Sequence, residues 1–196
     1  MVDLVLASAS PRRAQLLAQL GVSFTQSATD TDESHEGDES AEEYVVRLAR
    51  EKAAAAQRVL GTDAAVLAAD TCVVLDGLIL GKPEDHFDAL AMLARLSGRE
   101  HRVLTAVCVR RLDQVEEAMS DTRVKFCILN RAQCESYLST DEAWDKAGAY
   151  GIQGLAGAFV ERIEGSYSGV VGLPLSHTWA LLQRVGVMTS LDLRDE

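Results

Sequence analysis

Ala64 to Ala69 is a continuous apolar run, and it breaks off abruptly at Asp70-Thr71. Val2 to Ala7 is an earlier short run, apolar except for Asp3 and followed by Ser8. Short, continuous apolar runs of this length read as buried strands. Helical patterns fall between and after them. Ser10-Pro11 opens one, with Ser as N-cap and Pro at the first helical position. Leu16, Leu17 and Leu20 give it an apolar face, and Gly21 ends it. Ser40 and Glu43 form a capping box ahead of a second helix carrying Tyr44, Val45, Leu48, Ala49, Ala55, Ala56 and Val59. Buried strands interleaved with amphipathic helices describe an α/β unit.

The rest of the chain extends this pattern. Val22 to Ser27 is expected to be a second strand, and the acidic Thr29 to Glu39 a surface loop. Cys72–Leu75 and Leu78–Leu80 flank Asp76-Gly77, a hairpin signal. Asp85 caps a helix through Leu96, with Gly98 as its stop. His101–Arg110 and Val115–Leu129 read as two long strands around a polar turn. A short helix over Arg131–Leu138, a glycine-rich loop over Lys146–Gly157, a strand at Phe159–Ile163 and a closing helix over Leu175–Val185 complete the series. The hairpins make the sheet mixed rather than purely parallel. No repeat, linker or break in composition divides residues 1–196, so one domain is expected.

Lys plus Arg number 19 and Asp plus Glu 30, a formal net charge of −11. Such a chain is not expected to coat nucleic acid or an anionic membrane. A local basic cluster could still bind a small anion. The longest uncharged stretch, Gly165 to Gln183, is interrupted by Pro174, His177 and Thr178 and makes a poor membrane span. Asp3 near the start argues against a secretory signal. Cys72, Cys108, Cys127 and Cys134 are dispersed with no CxxC pair, which suits free thiols in a reducing cytoplasm.

Three places break the expected pattern. Arg12 and Arg13 fall in the first turn of a helix, whose N-terminus already carries partial positive charge. With Ser8, Ser10 and the free backbone N–H groups they suit a polyphosphate; alternatively both point to solvent or pair with the acidic loop. Lys52 lies on or beside the apolar stripe of its helix. It needs an anionic partner there, or else snorkels to water from the stripe's edge. Asp70 ends an apolar run, where α/β enzymes place metal ligands and bases, though a turn or N-cap aspartate is the plainer reading. Gly77 to Pro83 is no Walker loop: its spacing is wrong, and Pro83 stands where Ser or Thr is needed. HExxH, GxSxG and a Rossmann fingerprint are absent from the sequence, and the scattered histidines argue against zinc.

Seven segments, taken in order, resemble the Maf family of nucleotide pyrophosphatases. They are Ala7–Arg13, Glu51-Lys52-Ala53, Ala69-Asp70-Thr71, Gly81-Lys82-Pro83, Leu96-Ser97-Gly98, Asp145–Gly154 and Gly165–Pro174. The resemblance implies a Maf/inosine-triphosphatase-like α/β fold: an elongated mixed sheet flanked by helices, with a nucleotide cleft between two lobes. It implies hydrolysis of a nucleoside triphosphate to monophosphate and pyrophosphate, with a divalent cation, Mg²⁺ or Mn²⁺, held by Asp70 and Glu33. Asp70 would be the general base or hold the metal that activates water. Arg12, Arg13, Lys52 and Lys82 would hold the phosphates, with Ser8 and Ser10 completing the site. Arg12, Thr71 and Gln153 match positions associated with substrate choice. Gly169 departs from the family pattern, which leads one to expect Asn there. A cytoplasmic enzyme, compatible with a homodimer, is the implied setting.

The run Ala149-Tyr150-Gly151-Ile152-Gln153 resembles the branch acting on dTTP and UTP. A Gln amide offers a donor beside an acceptor, which matches uracil and thymine at O4 and N3–H. Cytosine presents the reverse at those positions, so it would pair poorly with an amide held in one orientation. The alternatives are 7-methyl-GTP hydrolysis, or a nucleotide-binding regulator, since the family is linked with septum inhibition and cell-division arrest. A carboxylate among the cations favours catalysis over binding alone.

Overall fold

The computed structural model describes residues 3–28, 31–61 and 63–192. The strands are β1 (Leu4–Leu6), β2 (Thr25–Gln26), β3 (Ala65–Leu75), β4 (Leu78–Leu80), β5 (Glu100–Arg111), β6 (Gln114–Phe126) and β7 (Val160–Glu164). The helices are α1 (Pro11–Ala18), α2 (Ala41–Leu60), α3 (His86–Leu96), α4 (Arg131–Leu138), α5 (Tyr167–Val171) and α6 (Leu175–Arg184). Two 3-10 turns, Ala147–Ala149 and Leu155–Phe159, lie in the glycine-rich loop. One seven-stranded mixed sheet runs β2-β1-β3-β5-β6-β7, with β4 paired to β3.

The capping signals act as read. Ser10 Oγ accepts from the Arg13 backbone N–H, Ser40 and Glu43 close a reciprocal box, and Asp85 caps α3 through the Asp88 N–H. The strand expected over residues 22–27 shrinks to Thr25–Gln26, and the one expected to run to Leu129 stops at Phe126. The short α5 has too few apolar positions to show a helical period. In the acidic loop, Thr29 and Asp30 lie outside the described residues.

One expectation needs a larger correction. Asp70 does not end a strand. β3 continues through it to Leu75, and Asp70 sits mid-strand, paired with Ala106 of β5. What ends there is the pairing on the opposite edge. β1 accompanies β3 only as far as Leu67, where the Ala7 N–H reaches the Leu67 carbonyl. β4 takes up the same edge from Val73. Residues 68–72 are therefore left without a strand neighbour on that side, a notch in the sheet. β1 runs parallel to β3 and β4 antiparallel, so both reach the notch by their C-terminal ends.

Packing follows the alternation of β3. Its even positions Val66, Ala68, Cys72 and Val74 pack with Val45, Ala49, Ala53 and Ala56 of α2. Asp70 interrupts that row. Its odd positions serve two cores in turn. Ala65, Leu67 and Ala69 meet α1 and α6 through Leu16, Leu17, Leu181 and Leu182. Val73 and Leu75 meet α3 and α4 through Leu93, Leu96, Tyr137 and Leu138. Thr71 lies at the seam between these two cores. No described helix is long and apolar enough to cross a membrane.

Candidate active site

A cleft of about 910 Å³ occupies the notch. Its lining includes the loop after β1 and the first turn of α1 (Ala7–Arg13), Glu33, Lys52, Asp70 and Thr71 of β3, Leu80 at the end of β4 with Gly81 and Lys82 after it, and Asp145–Ala147 and Tyr150–Gly154 on the far wall. Five cations (Arg12, Arg13, Lys52, Lys82, Lys146) and four carboxylates (Glu33, Asp70, Glu142, Asp145) line it. The cleft wall is thus slightly cationic while the chain carries −11 overall.

Lys52 has the anionic partners its position demands. Its Nζ donates to Asp70 Oδ1 and Glu33 Oε1, each at 2.6 Å. The Lys52 and Asp70 side chains are only 13% and 10% exposed, so the pair is largely withdrawn from water. Small alanines on the neighbouring turns of α2 bring that helix close to β3, which lets Lys52 span the gap. Partial burial opposes ionisation of Glu33. The hydrogen bond and charge of Lys52, joined by Lys82 at 3.6 Å, nevertheless hold its carboxyl below the usual range.

Arg13 points along the floor of the notch. Its Nε donates to the Gly172 carbonyl at 2.9 Å, Nη2 to Thr71 Oγ1 at 3.2 Å and Nη1 to Ser8 Oγ at 3.4 Å. A guanidinium has five N–H donors, so two remain for a ligand. Burial pushes its pKa down from the ordinary value, with Asp70 acting in the opposite sense. Ser8 and Ser10 spend their oxygens as acceptors, from Ser10 N–H and Arg13 N–H respectively. Each keeps its O–H to donate. Arg12 departs from the two alternatives to a phosphate role. It neither faces solvent freely nor pairs with the acidic loop, but crosses the cleft to Asp145 Oδ2 at 3.1 Å.

The far wall carries Gln153, whose exposed side chain makes no hydrogen bond within the described chain. This wall is joined to the loop after β4 through the Gly148 N–H and the Gly81 carbonyl at 2.9 Å. Gly148 has φ +71, and a Cβ there would press on Val73 at 3.1 Å, so only glycine lets the loop sit this close. The absent side chain at Gly169 also has a cause. Its carbonyl accepts from Thr105 Oγ1 at 2.8 Å, and a Cβ would meet Ser120 Oγ at 2.8 Å.

The acidic pair fits a hard divalent cation of the Mg²⁺ type. Asp70 Oδ2 takes no hydrogen bond from the described chain and is not sealed from solvent. Glu33 Oε2 has only Lys82 nearby. No cluster of three or more His, Cys, Asp or Glu able to hold a metal occurs among the described residues. Two carboxylates suit a cation that keeps most of its waters and takes phosphate oxygens, and do not suit zinc.

Sequence reasoning missed Glu142, Asp145, Lys146 and Tyr150 as parts of this cleft. Asp145, Lys146 and Tyr150 lie inside a recognised segment but show no pattern that assigns them a task. Glu142 lies in no pattern at all.

A family model described as Maf-like protein matches residues 3–185. A dTTP/UTP pyrophosphatase of Methylobacillus flagellatus is 56% identical over 188 residues, 95% of this chain and 94% of that one. The dTTP/UTP pyrophosphatase of Escherichia coli strain K12 is 48% identical over 188 residues, covering 96% and 95%. Among solved structures, the Ham1 protein of Staphylococcus aureus is a distant likeness, with TM-score 0.45 and 14% identity over 63% of this chain and 71% of that one. With a family model spanning most of its length and relatives near half identical end to end, this chain belongs to the Maf family.

Proposed function

We propose that the protein is a nucleoside triphosphate pyrophosphatase that hydrolyses dTTP and UTP to the nucleoside monophosphate and pyrophosphate. The names of its full-length relatives support the class of reaction. The observation that carries the reading is the notch itself. A mid-strand carboxylate, Asp70, is held by Lys52 among cations from the start of α1 and from two loops, in a cleft also lined by Gln153, whose amide has no partner in the described chain.

The triphosphate lies along the notch. Arg13, Lys52 and Lys82 bind its phosphates, Ser8 and Ser10 donate to phosphate oxygens, and Arg12 exchanges Asp145 for the more highly charged ligand. Asp70, oriented by Lys52, accepts the proton of the water that attacks the α-phosphorus. Negative charge then grows on the oxygen leaving with pyrophosphate, where fixed cations stabilise it. Asp70 and Glu33 would hold Mg²⁺ or Mn²⁺, which when bound would further neutralise phosphate charge. Thr71, fixed by Arg13 and Thr105, shapes the floor beneath the nucleotide. Gln153 reads O4 and N3–H of the base.

The test is a panel of UTP, dTTP, CTP, GTP and 7-methyl-GTP with Mg²⁺ and with Mn²⁺, coupled to an inorganic pyrophosphatase. UTP and dTTP should be turned over faster than CTP by about one to two powers of ten, the cost of a buried hydrogen-bond mismatch of roughly 1–3 kcal/mol. Gln153→Ala should narrow that gap with little change in melting temperature. Equal turnover of CTP and UTP, or preference for 7-methyl-GTP, overturns the base assignment. Tight nucleotide binding with no phosphate release overturns the enzyme in favour of a regulator.

A further inference from the structure

Gln153 cannot hold its own orientation. Its amide has no partner among the described residues, yet reading a base demands that the amide present one face. The backbone beneath it must therefore supply the order. Gln153 sits third in a four-residue turn, closed by the Gly154 N–H on the Gly151 carbonyl at 3.1 Å. The two feet of that turn are held from outside. At the entry, the Gly151 N–H donates to Tyr137 Oη at 3.3 Å. At the exit, the Leu155 N–H donates to both carboxylate oxygens of Glu142, at 2.9 and 3.1 Å.

Glu142 is the stronger of the two holds, being shorter and charge-assisted. It is itself fixed. Its N–H donates to Thr140 Oγ1 at 3.4 Å, and its carbonyl accepts from Lys146 Nζ at 2.5 Å. The same lysine lies across Gly151, where a Cβ would meet its Cε at 2.6 Å. A Cβ at Gly154 would run into the Glu142 carboxylate. The turn is thus clamped between Glu142 and Lys146, with glycine wherever either side chain presses on the backbone. Leu155 is 60% exposed, so its N–H can turn to water if Glu142 is removed. The fold has little need of this carboxylate, whereas the placement of Gln153 depends on it.

We infer that Glu142 is a positioning residue for base selection: it fixes the Gly151–Gly154 turn through the Leu155 N–H and thereby aims the Gln153 amide at a uracil-type base. The inference rests on the reading that Gln153 discriminates the base.

The experiment compares kcat/KM for UTP and CTP in the wild type, Glu142→Ala, Glu142→Gln, Gln153→Ala and the Glu142→Ala/Gln153→Ala double variant, with melting temperatures for each. Glu142→Ala should lower the UTP-to-CTP ratio by about tenfold, the scale of loss expected from a misplaced contact, while melting near the wild type. Glu142→Gln keeps an acceptor for the Leu155 N–H and should stay within about twofold of the wild-type ratio. The double variant should lose no more discrimination than Gln153→Ala alone, because both substitutions remove the same contact. If Gln153→Ala loses the ratio and Glu142→Ala keeps it, the inference fails and the base reading stands. An equal loss on UTP and CTP in Glu142→Ala, or additive losses in the double variant, also overturns it. If Gln153→Ala keeps the wild-type ratio, the base reading fails and the inference falls with it.

Discussion

Lys52 touches Asp70 and Glu33, each at 2.6 Å, and this contact decides what a change at Asp70 should do. Asparagine at position 70 retains an amide oxygen that can accept from Lys52, with nearly the same shape. The fold should therefore survive, while the group that accepts a proton is lost. Asp70→Asn should reduce turnover of UTP about 10²-fold to 10⁴-fold. The check is steady-state turnover together with a melting curve. Near-normal turnover in a folded variant would remove Asp70 from the chemistry. Arg13 illustrates the same economy at the neighbouring position. Three of its donors hold Gly172, Thr71 and Ser8, so it arrives at the site already oriented.

At the scale of elements, the wall that carries Gln153 is joined to the sheet by a buried polar pair. His101 of β5 shares a 2.8 Å hydrogen bond with the Tyr150 hydroxyl. Both rings pack edge-on against Phe126, at 5.0 and 4.8 Å. His101 Nδ1 is buried with no partner among the described residues. Burial holds the imidazole neutral and lowers its pKa from 6.5 to about 4. The sign follows from the depressed value. Above pH 6.5 neither state is protonated, and His101 adds no pH dependence. As pH falls from 6.5 to about 4, the unfolded chain takes up a proton that the folded one refuses, so stability declines. The full loss is about 3 kcal/mol below pH 4. His101→Phe removes this slope but orphans the Tyr150 hydroxyl, at a cost of roughly 1–3 kcal/mol. The variant should therefore be less stable than the wild type at pH 7, with the deficit shrinking or reversing by pH 4. Urea titrations across pH 4–7 give the comparison; parallel curves for the two proteins would contradict it.

For the whole molecule, the notch couples ligand to stability. Cations from the first turn of α1, from α2 and from the loop after β4 converge on one polyphosphate, so occupancy should tie these separate parts of the fold together. At 100 times its Kd, a ligand binding only the folded state adds about 2.7 kcal/mol. For a chain of this length that is on the order of 5–10 °C in Tm. The probe is a UTP analogue with a methylene bridge between the α- and β-phosphates, with and without Mg²⁺. Uridine without phosphates should give little shift, and removal of divalent cations with EDTA should abolish turnover of UTP. A uridine shift as large as that of the analogue would argue against the phosphate clamp.

Local physics made much of this legible in sequence. Ser10-Pro11, the Ser40/Glu43 box and Asp85 act within one helical turn, and the structure keeps all three. The apolar runs fix which strands are buried, since six consecutive apolar residues leave no face for water. The placement of Lys52 on or beside an apolar stripe left two outcomes, an anionic partner or a side chain snorkelling to water, because a lone buried ammonium is too costly. Which anion, and how Asp70 is presented, could not be read locally. Asp70 resembled a strand end because apolar residues stop there, whereas β3 runs on and it is the pairing along one edge that lapses. Edge pairing depends on where β1 and β4, distant in sequence, dock on a third strand. Arg12 reaching Asp145, 133 residues away, and Glu142 closing the turn under Gln153 likewise depend on loops brought together only by packing. The sequence by itself determined the caps, the buried strands and the charges that needed partners. Tertiary structure alone decided which partners they found, because long-range pairing and loop approach leave no period in the chain to read.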